Sequence, residues 1–356
     1  MKLRQRIRFC DARDGVRIAY SAIGQGTPLV MLSGGHSHLE LDADSPVFGH
    51  WIAELARHHT LVRLDTRGFG LADRDVGDHS IDAVASDVHA VADALGLQRF
   101  ALLAWLGGTP FAITYACRFP ERVSQLVLHA AYVRGWLRRG VGTQERDAVE
   151  ALVKQVESGW DMADPIVRHA ITSSFIPDST AAQQAWLNDA LRVSAHGSDA
   201  ARRLRTRLES DVSDLAGRVS CPTIVLNAEH DTNPPFTEGR LAASLVPGAH
   251  FVALASRNHV LLAHEPAWAR WIEEVRAFMR QSAVRDSPFA RLSPRELELA
   301  ALIAGGLDNA QIAARLDIGE KTVRNHITSI FAKLGVQTRA QAIVLAHAAG
   351  IRPAIL

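Results

Sequence analysis

The sequence predicts an α/β protein, a mostly parallel sheet covered on both faces and interrupted by a helical insertion, followed by a small all-helical domain. Three observations carry this. Short apolar runs alternate with amphipathic stretches from about residue 16 to 131; only helix-like segments fill about 132–216; and four short, strongly punctuated helices follow residue 291.

VRIAYSAI, PLVMLS, TLVRLD, FALLA and VSQLVLHA read as strands, several too continuously apolar to face water on either side. Between them Ile81, Val84, Val88, Val91 and Leu95 recur at helical spacing, a stripe to bury against a sheet. The strand pattern returns at PTIVLNAEHD and HFVALA, then a helix around AWARWIEEVRAFM. A helical insertion in an open α/β sheet commonly covers the carboxyl edge of the strands, where such folds place their sites. The expected domains are 1–282, with the insertion at about 132–216, a polar linker at 283–290, and 291–356.

A length of 356 residues fits two domains, and 47% hydrophobic against 22% charged residues with a net charge of +1 excludes a disordered or polyelectrolyte chain. From Arg291 onward basic residues exceed acidic ones by three, too few to identify a nucleic-acid binder by charge alone. No apolar run has bilayer length, and the basic N-terminus has no apolar stretch behind it; the expectation is a cytoplasmic protein with no membrane partner. Cys10, Cys117 and Cys221 form no CxxC pair, so neither a disulfide framework nor a zinc site is expected. His36, His38 and His50 with Asp42 and Asp44 fit no metal-ligand spacing, and no metal or other cofactor is expected.

In the C-terminal part, Ser293 with Glu296, Asp308 with Gln311 and Thr338 with Gln341 read as capping boxes, while Gly335 and Gly350 sit at helix stops. A helix at Asn309–Leu316, a turn Asp317-Ile318-Gly319 and a helix at Glu320–Leu334 make a helix-turn-helix. Val323, Ile327, Ile330 and Leu334 form the buried stripe of the second helix. This leaves Lys321, Thr322, Arg324, Asn325 and Thr328 open to a major groove, Arg324 and Asn325 for base edges, with Lys321 and Lys333 for phosphates. The segment resembles the LuxR-type DNA-binding domain of bacterial transcription regulators, with LSPRE, G-L-x-N-x-x-I-A-x-x-L, K-T-V-R-N-H and K-L-G-V all in register. The resemblance implies DNA as partner, a homodimer formed through the helix 339–349, and a pseudo-palindromic operator. Gly319 departs from the family's usual serine cap.

The first domain resembles the α/β-hydrolase family. D-T-R-G-F-G (65–70) matches the family's turn after a strand, and the resemblance places Asp231 and His259 as acid and histidine of a triad. The family's nucleophile motif G-x-S-x-G stands here as Ala104-Trp105-Leu106-Gly107-Gly108, with Leu106 at the nucleophile position, or Trp105 after a one-residue slip. Neither side chain attacks a carbonyl. Thr109 is the nearest hydroxyl but is expected to face away in the next helix. Leu106, Asp231 and His259 are therefore read as vestigial triad positions, with no catalytic residue. Gly35 and Gly107 supply backbone donors, and His36, Trp105, Phe175, Trp186, Trp136, Leu106 and His259 are candidate pocket residues for a small, mostly apolar molecule. The plainer reading makes the aromatics core of the insertion and His259 a buried histidine held by Asp231.

Three functions compete at this stage. The first is a ligand-responsive transcription regulator, the second a DNA-tethered enzyme using the His259/Asp231 pair for nucleophile-free acid-base chemistry, and the third an inert dimerisation scaffold.

Overall fold

The structure is a computed structural model that describes residues 5–164, 166–285, 288–349 and 351. It divides into two compact units, Met1–Glu274 and Val275–Leu356.

In the first unit β1 (Ile7–Asp11), β2 (Arg17–Ile23) and β3 (Thr27–Ser33) lead through short helices α1 (Leu39–Asp42) and α2 (Gly49–Ala56) to β4 (His59–Asp65). Then come α3 (Ile81–Ala94), β5 (Phe100–Trp105), α4 (Thr109–Arg118) and β6 (Val123–His129). The insertion holds a 3-10 turn (Trp136–Arg138) and helices α5 (Thr143–Gly159), α6 (Ile166–Phe175), α7 (Ala181–Ser194), α8 (Gly197–Glu209) and α9 (Ser213–Ala216). The sheet resumes with β7 (Thr223–Ala228), α10 (Phe236–Leu245), β8 (His250–Leu254) and α11 (Pro266–Arg285).

The eight strands lie in the order β1-β2-β4-β3-β5-β6-β7-β8. β1 and β2 are antiparallel additions to a parallel core of six. Every residue of β5 and of β7 is buried, which is why these stretches read as unbroken apolar runs. The stripe expected on α3 is present: Val84, Val88 and Val91 are fully buried against the sheet, Ile81 and Leu95 pack beside them, and Ser80 caps the helix by accepting from the Ala83 amide. β1 was not expected. It is an edge strand with Phe9 half exposed, and charges interrupt its apolar residues.

Polar contacts fasten the insertion to the sheet domain. The Gly70 amide donates to the Ser194 carbonyl at 2.6 Å, and Asp199 of α8 accepts from the Asp75 amide at 2.7 Å and pairs with His79 Nε2 at 2.9 Å. Arg67, fully buried, is held by Asp87 at 2.7 Å and Asp14 at 2.6 Å, and its carbonyl accepts from Arg203 of α8.

The second unit contains α12 (Pro294–Ala304), α13 (Asn309–Leu316), α14 (Glu320–Leu334) and α15 (Arg339–Ala348). All three expected capping boxes form, each with its reciprocal bond. Gly335 ends α14 in the left-handed conformation, whereas Gly350 lies outside the described residues. The expected linker 283–290 is corrected at both ends. α11 continues through Arg285, and Pro288–Arg291 forms a 3-10 turn whose Phe289 is buried as part of the helical core that includes Leu299 and Ile330. Residues 286–287 lie outside the described residues. No described helix is long and apolar enough to cross a membrane.

Candidate functional site

β5 delivers the chain into a sharp turn at the carboxyl edge of the sheet. Trp105 is the last strand residue, paired with Ser33, and its carbonyl accepts from Gly108 N at 2.8 Å and Gly34 N at 3.3 Å. Leu106 follows at φ +49°, a left-handed conformation that an L side chain adopts only at a cost, and Gly107 at +79°. Gly108 then starts α4. A Cβ on Gly34 would collide with the Gly107 carbonyl, so the loop after β3 lies directly against this turn. Leu106 is buried, and the Thr109 hydroxyl, at the first position of α4, is buried with no partner among the described residues.

His259 and Asp231 meet. Nδ1 of His259 lies 2.8 Å from Asp231 Oδ2, both side chains are wholly buried, and the other carboxylate oxygen accepts from the Asn233 amide at 2.7 Å. Donation from Nδ1 leaves His259 Nε2 as the basic nitrogen, and that atom is buried with no partner among the described residues. The Phe175 carbonyl accepts from the His259 amide at 2.8 Å, and the Phe175 ring lies 4.9 Å from the imidazole. Below, His129 Nε2 contacts the His259 carbonyl at 2.9 Å; burial, then the neighbouring His259, pushes the His129 pKa down to about 4, so this ring is neutral at pH 7.

The remaining expected pocket residues divide. Trp105 packs edge-on to Phe48, which also meets Trp186, at 5.2 and 5.8 Å. Phe48, which sequence reasoning missed, is fully buried and links the two tryptophans. Trp136 does not belong with them. It sits on a 3-10 turn at the start of the insertion and is 47% exposed, because the backbone of Gly135 packs against Arg207 and Leu208 and leaves its neighbour outside. His36 is corrected as well: Nε2 pairs with Asp42 at 2.8 Å and Nδ1 with Ser194 Oγ at 3.0 Å, so both ring nitrogens are committed to the scaffold. Burial opposes the Asp42 charge, yet His36 and Arg63 together hold its carboxyl below the ordinary range. Gly35 lies beside the turn, its amide 3.3 Å from Ser33 Oγ.

Another side chain missed in the sequence lies at this turn. Arg207, near the end of α8, rests on Gly107, where a Cβ would strike Nε and Cζ, and its Nη1 is 3.4 Å from where a Cβ on Gly35 would stand. Nothing in α8 distinguishes it beforehand from Arg202, Arg203 and Arg205, since only tertiary placement does so.

The histidine-rich loop gathers no metal set. His36 and Asp42 form a pair with Arg63, and His50 Nε2 contacts the Leu261 carbonyl. Among the described residues Asp75, His196 and Asp199 come within reach of a common point, but Asp199 is already engaged by His79 and the Asp75 amide, with Arg202 beside it.

In the second unit α13, a turn with Asp317 at φ +50°, and α14 form the helix-turn-helix. Val323, Ile330 and Leu334 are buried and Ile327 packs with them, leaving Lys321, Thr322, Arg324, Asn325 and Thr328 exposed. Thr328 Oγ1 donates to the Arg324 carbonyl at 3.1 Å, and Arg324 is 3.7 Å from Glu320, both exposed. Lys333, expected at a phosphate, also serves as a tie within the unit. Its ammonium lies 2.6 and 2.8 Å from the Glu296 oxygens, and Ser329 donates to the same carboxylate. Glu296, the capping residue of α12, thereby joins α12 to α14. These bonds, from Lys333 first and then from the Ser293 amide and Ser329, hold its pKa down at about 2.

Residues 27–164 match the family model described as alpha/beta hydrolase fold, and residues 290–346 the one described as bacterial regulatory proteins, luxR family. The putative carbamate hydrolase RutD of Klebsiella pneumoniae is 27% identical over 244 residues, 66% of this chain and 85% of that protein. The transcriptional regulatory protein LiaR of Bacillus subtilis is 46% identical over 69 residues, 19% of this chain and 33% of that protein, so the chain spans only a third of that regulator. An esterase structure from Rhodococcus sp. ECU1013 superposes with a TM-score of 0.61 at 25% identity, over 76% of this chain and 98% of that one. The chain thus joins a domain that matches the alpha/beta hydrolase fold to a helix-turn-helix domain that matches the luxR family of bacterial regulatory proteins.

The Glu296 bonds predict an acid-sensitive C-terminal unit. A carboxyl depressed on folding contributes stability that is complete above its unfolded pKa, near 4.5, and is lost as pH falls toward about 2. Denaturant unfolding of the full chain, followed by α12 amide signals, should show this loss in the wild type and not in Glu296→Gln; an equal pH slope in both would refute the assignment.

Proposed function

We propose that this chain is a ligand-responsive transcription regulator. Its hydrolase-fold domain binds a small, mostly apolar molecule without acyl transfer, and its luxR-family domain binds a pseudo-palindromic operator as a homodimer. The observation that carries this reading is the turn after β5. It keeps the left-handed backbone of a nucleophile elbow but presents Leu106 there, while the His259/Asp231 pair is retained. A leucine makes the floor apolar, and Phe175 and Trp186 extend that character onto the insertion. The regulators that match the C-terminal domain, including one named a DNA-binding transcriptional activator, support DNA as the partner. Val344, exposed on α15, supports pairing through that helix. The ligand acts by population shift, biasing DNA binding only through its differential affinity for two arrangements.

A second reading, acid-base chemistry by His259 without a nucleophile, is favoured by the unpartnered Nε2, and consumption of the ligand would distinguish it.

Two outcomes are expected. The full chain hydrolyses 4-nitrophenyl acetate no faster than its Leu106→Ala variant, and turnover that disappears in Thr109→Ala would overturn the reading. On a duplex obtained by in vitro selection, Arg324→Ala costs about 1–3 kcal/mol and flattens base preference, whereas Lys321→Ala weakens all sequences alike and lowers the salt slope by about one. Equal loss on selected and scrambled duplexes in Arg324→Ala would remove its base-reading role.

A further inference from the structure

The proposed sensor site contains a charge that no described residue answers. The Arg207 guanidinium has no hydrogen-bond or ion-pair partner among the described residues, and its Nε is buried. Its neighbours increase the excess. Arg203, one turn earlier on α8, is wholly buried, and burial above all, with repulsion from Arg67 and Arg207, pushes its pKa down to about 10. Arg203 donates through Nη1 to Thr66 and through Nη2 to the Arg67 carbonyl, packs its cation over the Phe69 and Phe111 rings and has a buried Nε without a partner among the described residues, while Asp87 is taken by Arg67. Arg205 is paired with Glu150. Arg207 therefore lies across Gly107 and beside Gly35 with no carboxylate to meet it, next to the positive, amino-terminal end of α4. A buried donor left without an acceptor costs stability unless a ligand supplies one, and the Arg207 Nε is such a donor.

We infer that the ligand of this site is a small carboxylic acid with an apolar body, whose carboxylate pairs with Arg207 above the Gly35 and Gly107 backbone while its body packs on Leu106, Phe175 and Trp186. This inference rests on the sensor reading and specifies its ligand class. A single guanidinium matches one planar monoanion by two parallel hydrogen bonds. Leu106 in the same turn, with Phe175 against His259 and Trp186 against Phe48 on the insertion, suits an alkyl or aryl body, and these apolar side chains offer nothing to the remaining oxygens of a phosphate dianion.

The test uses octanoate, its uncharged isostere octanamide, and inorganic phosphate, titrated calorimetrically into the full chain. Octanoate should bind on the order of tenfold more tightly than octanamide, phosphate should not compete, and Arg207→Met should bring the acid-to-amide ratio to about one. Arg207→Lys, which keeps the charge, should retain part of the preference, so a failure of the Met variant to fold leaves the test intact. Equal binding of acid and amide by the wild type, a preference that survives Arg207→Met, or phosphate competing at the same concentration as octanoate would overturn the carboxylate assignment. The two readings separate on Leu106→Trp. If acid and amide bind equally and both are lost in that variant, the apolar pocket stands and the carboxylate falls; if acid is preferred through Arg207 but binding survives Leu106→Trp, the anion site stands and the pocket over Leu106 falls. Binding of neither probe at millimolar concentration overturns both.

Discussion

Backbone contact between the loop after β3 and the turn after β5 is the constraint on which the site depends. Gly34 packs against the Gly107 carbonyl, and the Trp105 carbonyl accepts from both Gly34 and Gly108. A side chain at Gly34 would separate these segments, and one at Gly107 would displace the Arg207 guanidinium. Held from both directions, Leu106 has no relaxed alternative and stays at φ +49°. Such strain persists only where the surroundings over-determine it. The left-handed backbone is thus maintained here for a residue with no reactive group, and the proposed sensor reading would give that residue a role as an apolar floor.

The insertion is not a loosely laid cover. On one side α8 is fastened through Asp199 to His79 and Asp75 and through Arg203 to Arg67; on another, Phe175 at the end of α6 accepts from the His259 amide. The histidine of the dyad is consequently positioned partly by the insertion, and Arg207 reaches the turn from the same helix that carries Asp199 and Arg203. On the proposed sensor reading, a molecule seated at the turn would meet both the sheet and the insertion, the differential contacts that a population shift requires.

What was legible in the sequence follows the range of the interactions involved. The capping boxes of α12, α13 and α15, the α14 stripe and the fully buried strands depend on neighbours within a few residues or on simple periodicity, and the structure has them. The dyad was legible only through the family resemblance, because 28 residues separate Asp231 from His259. Long-range placement was not legible. The tie from Lys333 to Glu296 spans 37 residues, and the two groups are joined only when α12 packs on α14. Trp136 looked like a pocket residue because hydrophobicity carries no direction, and Phe289 looked like linker because one aromatic ring makes no period. Arg207 gave no signal at all, since an arginine among arginines acquires meaning only from what it lies against.

The central claim is that the hydrolase-fold domain holds a small molecule at Leu106 without consuming it. The most direct measurement is mass spectrometry of the compounds released on denaturing the purified full chain, beside a folded Leu106→Trp variant. The account predicts a compound present at about one per protomer in the wild type, chemically unaltered on prolonged incubation, and missing from the variant. The same compounds released from both proteins, or none from either, would contradict it.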